Sequence, residues 1–456
     1  MLDTELKLRR VDTRDADFAQ VIDEIRSRLS PDGDIVSESG RKLTIKVFGE
    51  PLSPQKTVSR ICEDVREHGL SKLLEYTNKL DNAEVNAENI RVPAAEIRAA
   101  HAGAAKDFLQ TIRNIRANIE FFQSRIKHET QKFERRPGIR FRHVYTPLRR
   151  VGICVPGGAA AYPSTVLMTA VLAKTAGVEQ IVVVAPPTPF GANNADVLAT
   201  CHELGIEEVY RVGGAQAVAA LAYGVAGIPR VDKIVGPGNL FVALAKKYVY
   251  GQVDIDSIAG PSEVLIIADS SANPAFVAAD MLAQAEHSPG ASILVAWEEE
   301  VIDKVDGELR RQVQSLDRSA LTVRSLEEYG CLIRCRDSAQ AIELANLLAP
   351  EHLHVETDQW QSIAPGLRNA GAVFVGHRNA VALGDYVAGP SHVLPTGGTA
   401  MWASGLTVND FLRSYTEIHY DQAGIDHDGA DACLLATKEG LTAHRQSVEM
   451  RMNERP

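Results

Sequence analysis

Residues 150 to 176 read RVGICVPGGAAAYPSTVLMTAVLAKTA. A short β-branched run ends at a Pro-Gly-Gly turn, and an apolar stretch of helical length follows from Thr165 to Ala176. A brief apolar run bounded by turn residues is consistent with a buried strand, and length tells it from a helix. The same order recurs downstream: EQIVVVA, PPTPFGANN and a helix over Ala195 to Leu204; EEVYRV, GGAQ and another helix; DKIV, GPGN and a helix over Leu240 to Val249. EVLIIAD, a helix through Gln284 and His287, SILVAW and a further unit around Ala339 to Leu348 continue it. Strand, loop and helix at this interval imply parallel strands joined by crossover helices. The fold class expected is α/β, with two consecutive Rossmann-like parallel sheets and a ligand crevice at the carboxyl ends of their strands.

Upstream, the periodicity is helical almost throughout from Val58 to about Arg125, and residues 1 to 50 read as an arm with one amphipathic helix, Phe18 to Leu29. A polar connection through Pro31, Asp32 and Gly33 follows it. After about Gly405 the chain returns to short helical segments and a polar tail. That part is too small to bury a core of its own, so it is expected to pack on another surface, such as a second subunit.

At 456 residues the chain exceeds the ~250 to 300 at which single cores stop growing. A net charge of -11 speaks against a dedicated nucleic-acid binder. The one arginine-rich stretch, Arg135 to Arg150, alternates as an edge strand with a solvated face. Cysteines at 62, 154, 201, 331, 335 and 433 are scattered through helix-like and strand-like segments, as expected of reduced thiols. The amino-terminal MLDTELKLRR has no apolar run behind its charges, and the longest apolar stretch, Ala217 to Ile228, is far short of the ~20 residues of a membrane span. A soluble, cytoplasmic protein with no membrane partner is the expectation.

Four segments hold candidate chemistry. LAQAEHSPGA (282–291) places Gln284 and His287 three apart at a helix end, with Pro289 and Gly290 as its stop and Glu286 pointing elsewhere. An amide oxygen and a neutral imidazole can both ligate a divalent metal, but such a pair is also an ordinary solvated helix end. NLLAPEHLHVET (346–357) puts Glu351, His352 and His354 after Pro350, which turns the chain from helix toward a strand entry where adjacent side chains diverge. A carboxylate beside an imidazole suits two distinct proton transfers, and an exposed polar loop is the plain alternative. ALGDYVAGPSHVLPTGG (382–398) presents Asp385 and His392 on a Gly/Pro-shaped loop. KEGLTAHRQS (438–447) carries Glu439 and His444, five apart and so not on one helix face. No G-x-G-x-x-G follows a strand; PGG, GGAQ and GPGN are shorter turns that admit either a cofactor or a plain βα connection. Spacing alone reaches an α/β enzyme with a candidate metal site.

Together, VGICVPGGAAAYPSTVLM, VDKIVGPGN, IDSIAGPSEVLIIAD, QAEHSP, APEHL, GDYVAGPSHVLPTGGTA and EGLTAH resemble the histidinol dehydrogenase family, in family order and from about residue 55 onward. The resemblance implies a zinc-dependent, NAD-using enzyme that converts L-histidinol to L-histidine through bound histidinal by two successive hydride transfers. It implies one zinc per subunit, held by Gln284, His287, Asp385 and His444, the last supplied across a homodimer with shared active sites. His352 is the implied base for the alcohol proton, and Glu351 the group that activates water. Ser262, His352, His392 and Glu439 match substrate-contacting positions, beside the ligands Gln284, His287, Asp385 and His444; Gln216 and Asn239 match cofactor-contacting ones. Cys154 stands in the cofactor region where many members have a Tyr that touches NAD, Ser257 and Ser391 replace a commoner Met and Asn, and the connection from Ser30 to Pro51 is longer than usual.

The division that follows is a helical arm (1–50), a first α/β domain with the metal and catalytic loops (51–153 and 264–405), a second, NAD-contacting α/β domain (154–263) and a C-terminal helical segment (406–456) on the partner subunit. Rival readings are a dehydrogenase of another polar alcohol, of the sulfopropanediol type, and a non-catalytic metal- or nucleotide-binding paralogue. Tyr386, retained after Gly384 and Asp385, favours histidinol over the first, and retention of both Glu351 and His352 disfavours the second.

Overall fold

Arg150–Cys154 is a strand buried along its whole length, as a parallel strand covered on both faces must be. It lies at the centre of a five-stranded parallel sheet, in the spatial order Glu208–Arg211, Gln180–Ala185, Arg150–Cys154, Lys233–Val235, Asp254–Ile255. In chain order this is 3-2-1-4-5, so the winding reverses beside Arg150–Cys154 and opens a crevice there. The first crossover helix, Pro163–Ala176, starts on a proline, where the missing N–H costs nothing, and stops at Gly177 in the left-handed conformation. The computed structural model describes residues 6–29, 38–158, 160–287 and 290–454.

A six-stranded parallel sheet runs Arg9–Asp12, Gly330–Arg334, Gly290–Ala296, Ser262–Ala268, His352–Glu356, Ala372–Val375. From Ser262–Ala268 onward it repeats the 3-2-1-4-5 winding, with one amino-terminal strand added at an edge. The architecture is thus two Rossmann-like sheets, and the expected strands fall where the β-branched runs placed them.

Several elements differ from expectation. The amino-terminal segment is not only an arm: Arg9–Asp12 pairs with Gly330–Arg334, and Val21, Ile22 and Ile25 of helix Phe18–Leu29 join the core of that sheet. A further helix spans Glu38–Phe48, while the connection through Pro31, Asp32 and Gly33 lies outside the described residues. The helices between 54 and 126, grouped by expectation with 264–405, lie against the five-stranded sheet. Ile61, Val65 and Tyr76 pack with Val182 and Val184 on one side, and Ile97, Ile112 and Ile119 with Val151 and Ile153 on the other. The six-stranded sheet is covered by its own helices, with Leu344 and Ala345 on one face and Val277, Met281 and Val305 on the other.

The arginine-rich stretch is a central strand, not an edge. Ile139–Pro147 lies between Gln131–Arg136 and Leu412–Tyr420 in a three-stranded antiparallel sheet. Leu412–Tyr420 falls in the region read as helical; nearly every residue of it is exposed, so no one-sided apolar pattern marked it as a strand. Two helices follow, Gln422–Lys438 and Thr442–Asn453, and they leave Leu434, Leu435 and Met450 exposed.

Leu265 is wholly buried in the central strand of the six-stranded sheet. Leu265→Ala is expected to lower unfolding stability by about 2 to 5 kcal/mol. The check is the urea midpoint at unchanged slope; a shift of less than a few tenths of a kcal/mol would mean that this core yields freely.

Candidate active site

Helix Ser338–Leu348 ends with Ala349 in the left-handed region, and Pro350 prevents any return to helix. Glu351 follows at once, and His352 opens a strand paired in parallel with Ser262–Ala268. Both strands therefore present their first residues at the same amino edge of the six-stranded sheet. That edge faces the carboxyl edge of the five-stranded sheet across a cavity of about 700 Å³, with Ser262, Glu351 and His352 on one wall and Cys154, Gly213 and Gly236 on the other. The crevice thus meets the carboxyl-end expectation in one sheet only. In the other, the groups sit where helices end and strands begin.

The Glu351 carboxylate is buried, and its Oε2 accepts hydrogen bonds from Ser262 Oγ (2.5 Å) and the Glu263 amide (3.0 Å). His352, also buried, has Nδ1 3.5 Å from Glu351 Oε2 and Nε2 3.4 Å from Asp385 Oδ1. Gln284 donates its Nε2 to Ser262 Oγ at 2.6 Å, leaving Oε1 buried without a partner. His392 Nδ1 lies 3.1 Å from the Asp385 carbonyl, and its Nε2 is likewise buried and unpartnered. Ser262, Glu351, His352, Asp385, His392 and His287 all line the one cavity. His287 is not on the helix face expected for it: helix Pro274–Ala285 closes at Glu286, and His287 stands exposed in the turn beyond. Ser288 and Pro289 lie outside the described residues. Glu439 and His444 are not brought to this cavity; the helix breaks between them, and both are exposed.

On the other wall, Gln216 is buried in the first turn of helix Gly214–Tyr223, with Oε1 unpartnered. Asn239 caps helix Leu240–Val249, its Oδ1 accepting from the Val242 amide at 3.2 Å. Cys154 is buried, and burial pushes its thiol up to about 12, so it lines the wall as a neutral group. Gly236 has φ +106, and a Cβ there would stand 2.3 Å from the Cys154 carbonyl oxygen, so only glycine fits. The sequence reading missed the pair that fixes this loop. Lys246, almost fully buried, donates to the Gly236 carbonyl (3.0 Å) and to Asp256, whose other oxygen accepts from the Gly236 amide at 2.7 Å. The sequence carried no signal for it, because Lys246 stands beside the exposed Lys247 in the last turn of the helix, where basic residues are ordinary.

Of the expected site residues, Ser262, His287, Glu351, His352, Asp385 and His392 line the cavity with Cys154, Gln216 and Asn239 opposite; Gln284 adjoins it through Ser262, and Glu439 and His444 do not reach it. Comparison with known proteins gives that arrangement a family. The family model for histidinol dehydrogenase matches residues 50–452. A histidinol dehydrogenase of Rhodopirellula baltica is 56% identical over 450 residues, 98% of each chain, and one of Synechococcus is 48% identical over 399 residues, 87% of this chain and 92% of that one. The crystal structure of histidinol dehydrogenase from Elizabethkingia anophelis superposes with a TM-score of 0.88 at 31% identity, covering 98% of this chain and 99% of that one.

The chain belongs to the histidinol dehydrogenase family. It is an oxidoreductase of histidine biosynthesis, of the NAD-dependent kind that converts L-histidinol to L-histidine. For a histidinol dehydrogenase the electrostatics of the pocket matter most. Burial would lower the His352 pKa, but the charges of Glu351 and Asp385 outweigh it and raise the imidazole to about 9. Burial raises the Glu351 carboxyl. It also tends to raise Asp385, which His352 nonetheless holds below the ordinary value. Burial lowers His392, which is therefore a neutral ring.

Glu263, which the sequence reading passed over, is buried beneath the pair, with Oε1 accepting from the Gly397 amide at 2.9 Å. Burial, and then the charge of Glu351, raise its carboxyl from 4.5 to about 8. Between those values the folded state holds a proton that the unfolded chain has lost, so stability falls as pH rises from about 4.5 toward 8. Glu263→Gln removes that dependence. The difference in melting midpoint between variant and parent is expected to shift in the variant's favour from pH 5 to 8 and to level off above; a difference independent of pH would refute the assignment.

Proposed function

We propose that this chain oxidises L-histidinol to L-histidine at the cavity between the two sheets by two successive oxidations. The observation that carries the reading is the buried pair at the strand entry, Glu351 and His352, with Asp385 within 3.4 Å of the imidazole. A zinc ion fits the same place. Gln284 Oε1 is an orphaned buried acceptor, and Asp385 and His287 share the cavity it adjoins. Gln284, His287 and Asp385 would hold the ion, with His444 as the fourth ligand. NAD fits the opposite wall, where Gln216 Oε1 is unpartnered, Asn239 stands at a helix start and Gly158, with open space where a Cβ would be, lets a ligand approach backbone. When bound, zinc supplies a fixed positive charge that holds the substrate, and NAD accepts the hydride in each oxidation.

The chain's own groups divide the proton work. His352 is the base for the alcohol proton; its pKa is raised first by Glu351 and then by Asp385, so a cation held by Asp385 would remove part of that rise. Glu351, made more basic by burial and held by Ser262 and the Glu263 amide, activates the water that hydrates the bound aldehyde. Ser262, His392 and Glu439 are assigned to substrate, and Gln216, Asn239 and the neighbouring Cys154 to the cofactor side. In the proposed division, residues 154–263 form the NAD-contacting half, and 264–405 carry the catalytic loops. The exposed positions of Glu439 and His444, on helices bearing exposed Leu434, Leu435 and Met450, favour a homodimer in which these two residues complete the partner's site. Cytoplasmic location accords with a biosynthetic enzyme whose described residues include no helix long and apolar enough to cross a membrane.

With L-histidinol, NAD and zinc supplied, two NADH are expected per histidine formed. One NADH with release of aldehyde, or turnover only of another alcohol, would overturn the reading. His352→Asn is expected to block the first oxidation by roughly 100-fold or more, and Glu351→Gln to spare it relative to the second. Rapid-mixing assays with histidinol and with histidinal separate the steps, and equal losses in both would contradict the division.

Shared sites have their own check. Asp385→Asn and His444→Ala are each expected to be inactive alone, while unfolding and refolding them together in equal amounts should restore about a quarter of parental activity through mixed dimers. Absence of any restored activity would refute a shared site.

A further inference from the structure

Below the catalytic pair, the strand His352–Glu356 continues into a second polar group. His352, His354 and Glu356 alternate along one face, while Leu353 and Val355 pack into the core of the other. His354 is completely buried, Glu356 nearly so, and Asp280 reaches them from helix Pro274–Ala285. Among the described residues these three form the set whose ligand atoms all lie within 4.8 Å of one another, and none is an expected zinc ligand of the active site.

We propose that Asp280, His354 and Glu356 bind a second divalent transition-metal cation, of the zinc type, with a structural role. His354 Nδ1 is 3.4 Å from Asp280 Oδ2 and 3.9 Å from Glu356 Oε1, and neither ring nitrogen has a hydrogen-bond partner. Both separations exceed the ~2.7 to 3.2 Å of a hydrogen bond; two ligands each about 2.1 Å from one tetrahedral ion stand about 3.4 Å apart, which the Asp280 pair matches and the Glu356 pair exceeds by a side-chain adjustment of about half an ångström. One imidazole and two carboxylates suit zinc, whereas calcium seeks six or more oxygens. Two carboxylates buried around one neutral imidazole carry a net negative charge, and a dication balances it. The outer contacts are in place: His377 lies 3.3 Å from Glu356 Oε2 and 3.1 Å from Asp358, and Phe374 stacks on the His354 ring at 4.7 Å. The competing account is a proton on His354. Burial opposes that proton, and the two carboxylates raise the pKa in spite of it.

The ion would tie the strand that begins with His352 to the helix that ends beside Gln284, bracing both catalytic segments from the far side. Asp280 lies about one helical turn before Gln284.

Zinc is measured by plasma mass spectrometry on full-length protein after EDTA treatment, reloading with zinc chloride and dialysis. About two equivalents per chain are expected in the parent, and one in each of His354→Leu and Glu356→Gln. The near-isosteric Glu356→Gln carries the test if the histidine variant does not fold. Asp385→Asn, which acts on the proposed catalytic ion, should lose the other equivalent. One equivalent in the parent, retained in Glu356→Gln and lost in Asp385→Asn, overturns the second site and leaves the active-site reading standing. One equivalent kept in Asp385→Asn and lost in Glu356→Gln supports the second site and defeats the catalytic zinc. Added zinc should also raise the melting midpoint of EDTA-treated Asp385→Asn by several degrees, and an unchanged midpoint would count against bracing.

Discussion

A carboxylate buried at the mouth of a parallel sheet is the constraint on which the site depends. Glu351 is tolerated there because Ser262 Oγ and the Glu263 amide both donate to it and the His352 ring lies 3.5 Å away. Ser262 and Glu263 sit on the adjacent strand, so the register that pairs His352 with Val264 is what brings them to Glu351 and His352. Gln284 joins through the same Ser262 hydroxyl. One serine thereby links a proposed proton-transfer group to a proposed ligand.

The two sheets meet edge to edge with opposite polarity. At the wall built by the five-stranded sheet, helices Gly214–Tyr223 and Leu240–Val249 begin, and their first-turn amides favour anionic ligand groups. At the opposite wall, helices Pro274–Ala285 and Ser338–Leu348 end, and their carbonyl termini favour cations. A cavity with an anion-favouring wall facing a cation-favouring one is suited to hold a dinucleotide against a positively charged amino alcohol.

Much of the fold was legible because its signals are local. Short β-branched runs such as Gln180–Ala185, Gly-rich turns and proline-led helix starts recur in step, and each is decided within a few residues. Leu412–Tyr420 was not legible, because an exposed strand carries no one-sided pattern. Nor was the packing of the helices between 54 and 126, since amphipathic periodicity says that a face is buried but not against which sheet. In the site, Glu351, His352 and Asp385 stood out by residue type and motif. Glu263 and the Lys246–Asp256 pair did not, because each reads as an ordinary polar residue until its surroundings are known.

The sequence by itself determined the alternation of strands and helices, the residues available for chemistry and, through seven motifs, the family they resemble. Tertiary structure alone decided that the amino edge of one sheet faces the carboxyl edge of the other, that His287 lies past its helix, and that His354 meets Asp280 across 74 positions of chain. The reason is physical. Propensity, capping and turn chemistry act over a few residues, whereas the distance between two side chains and the dielectric around them depend on how whole layers pack.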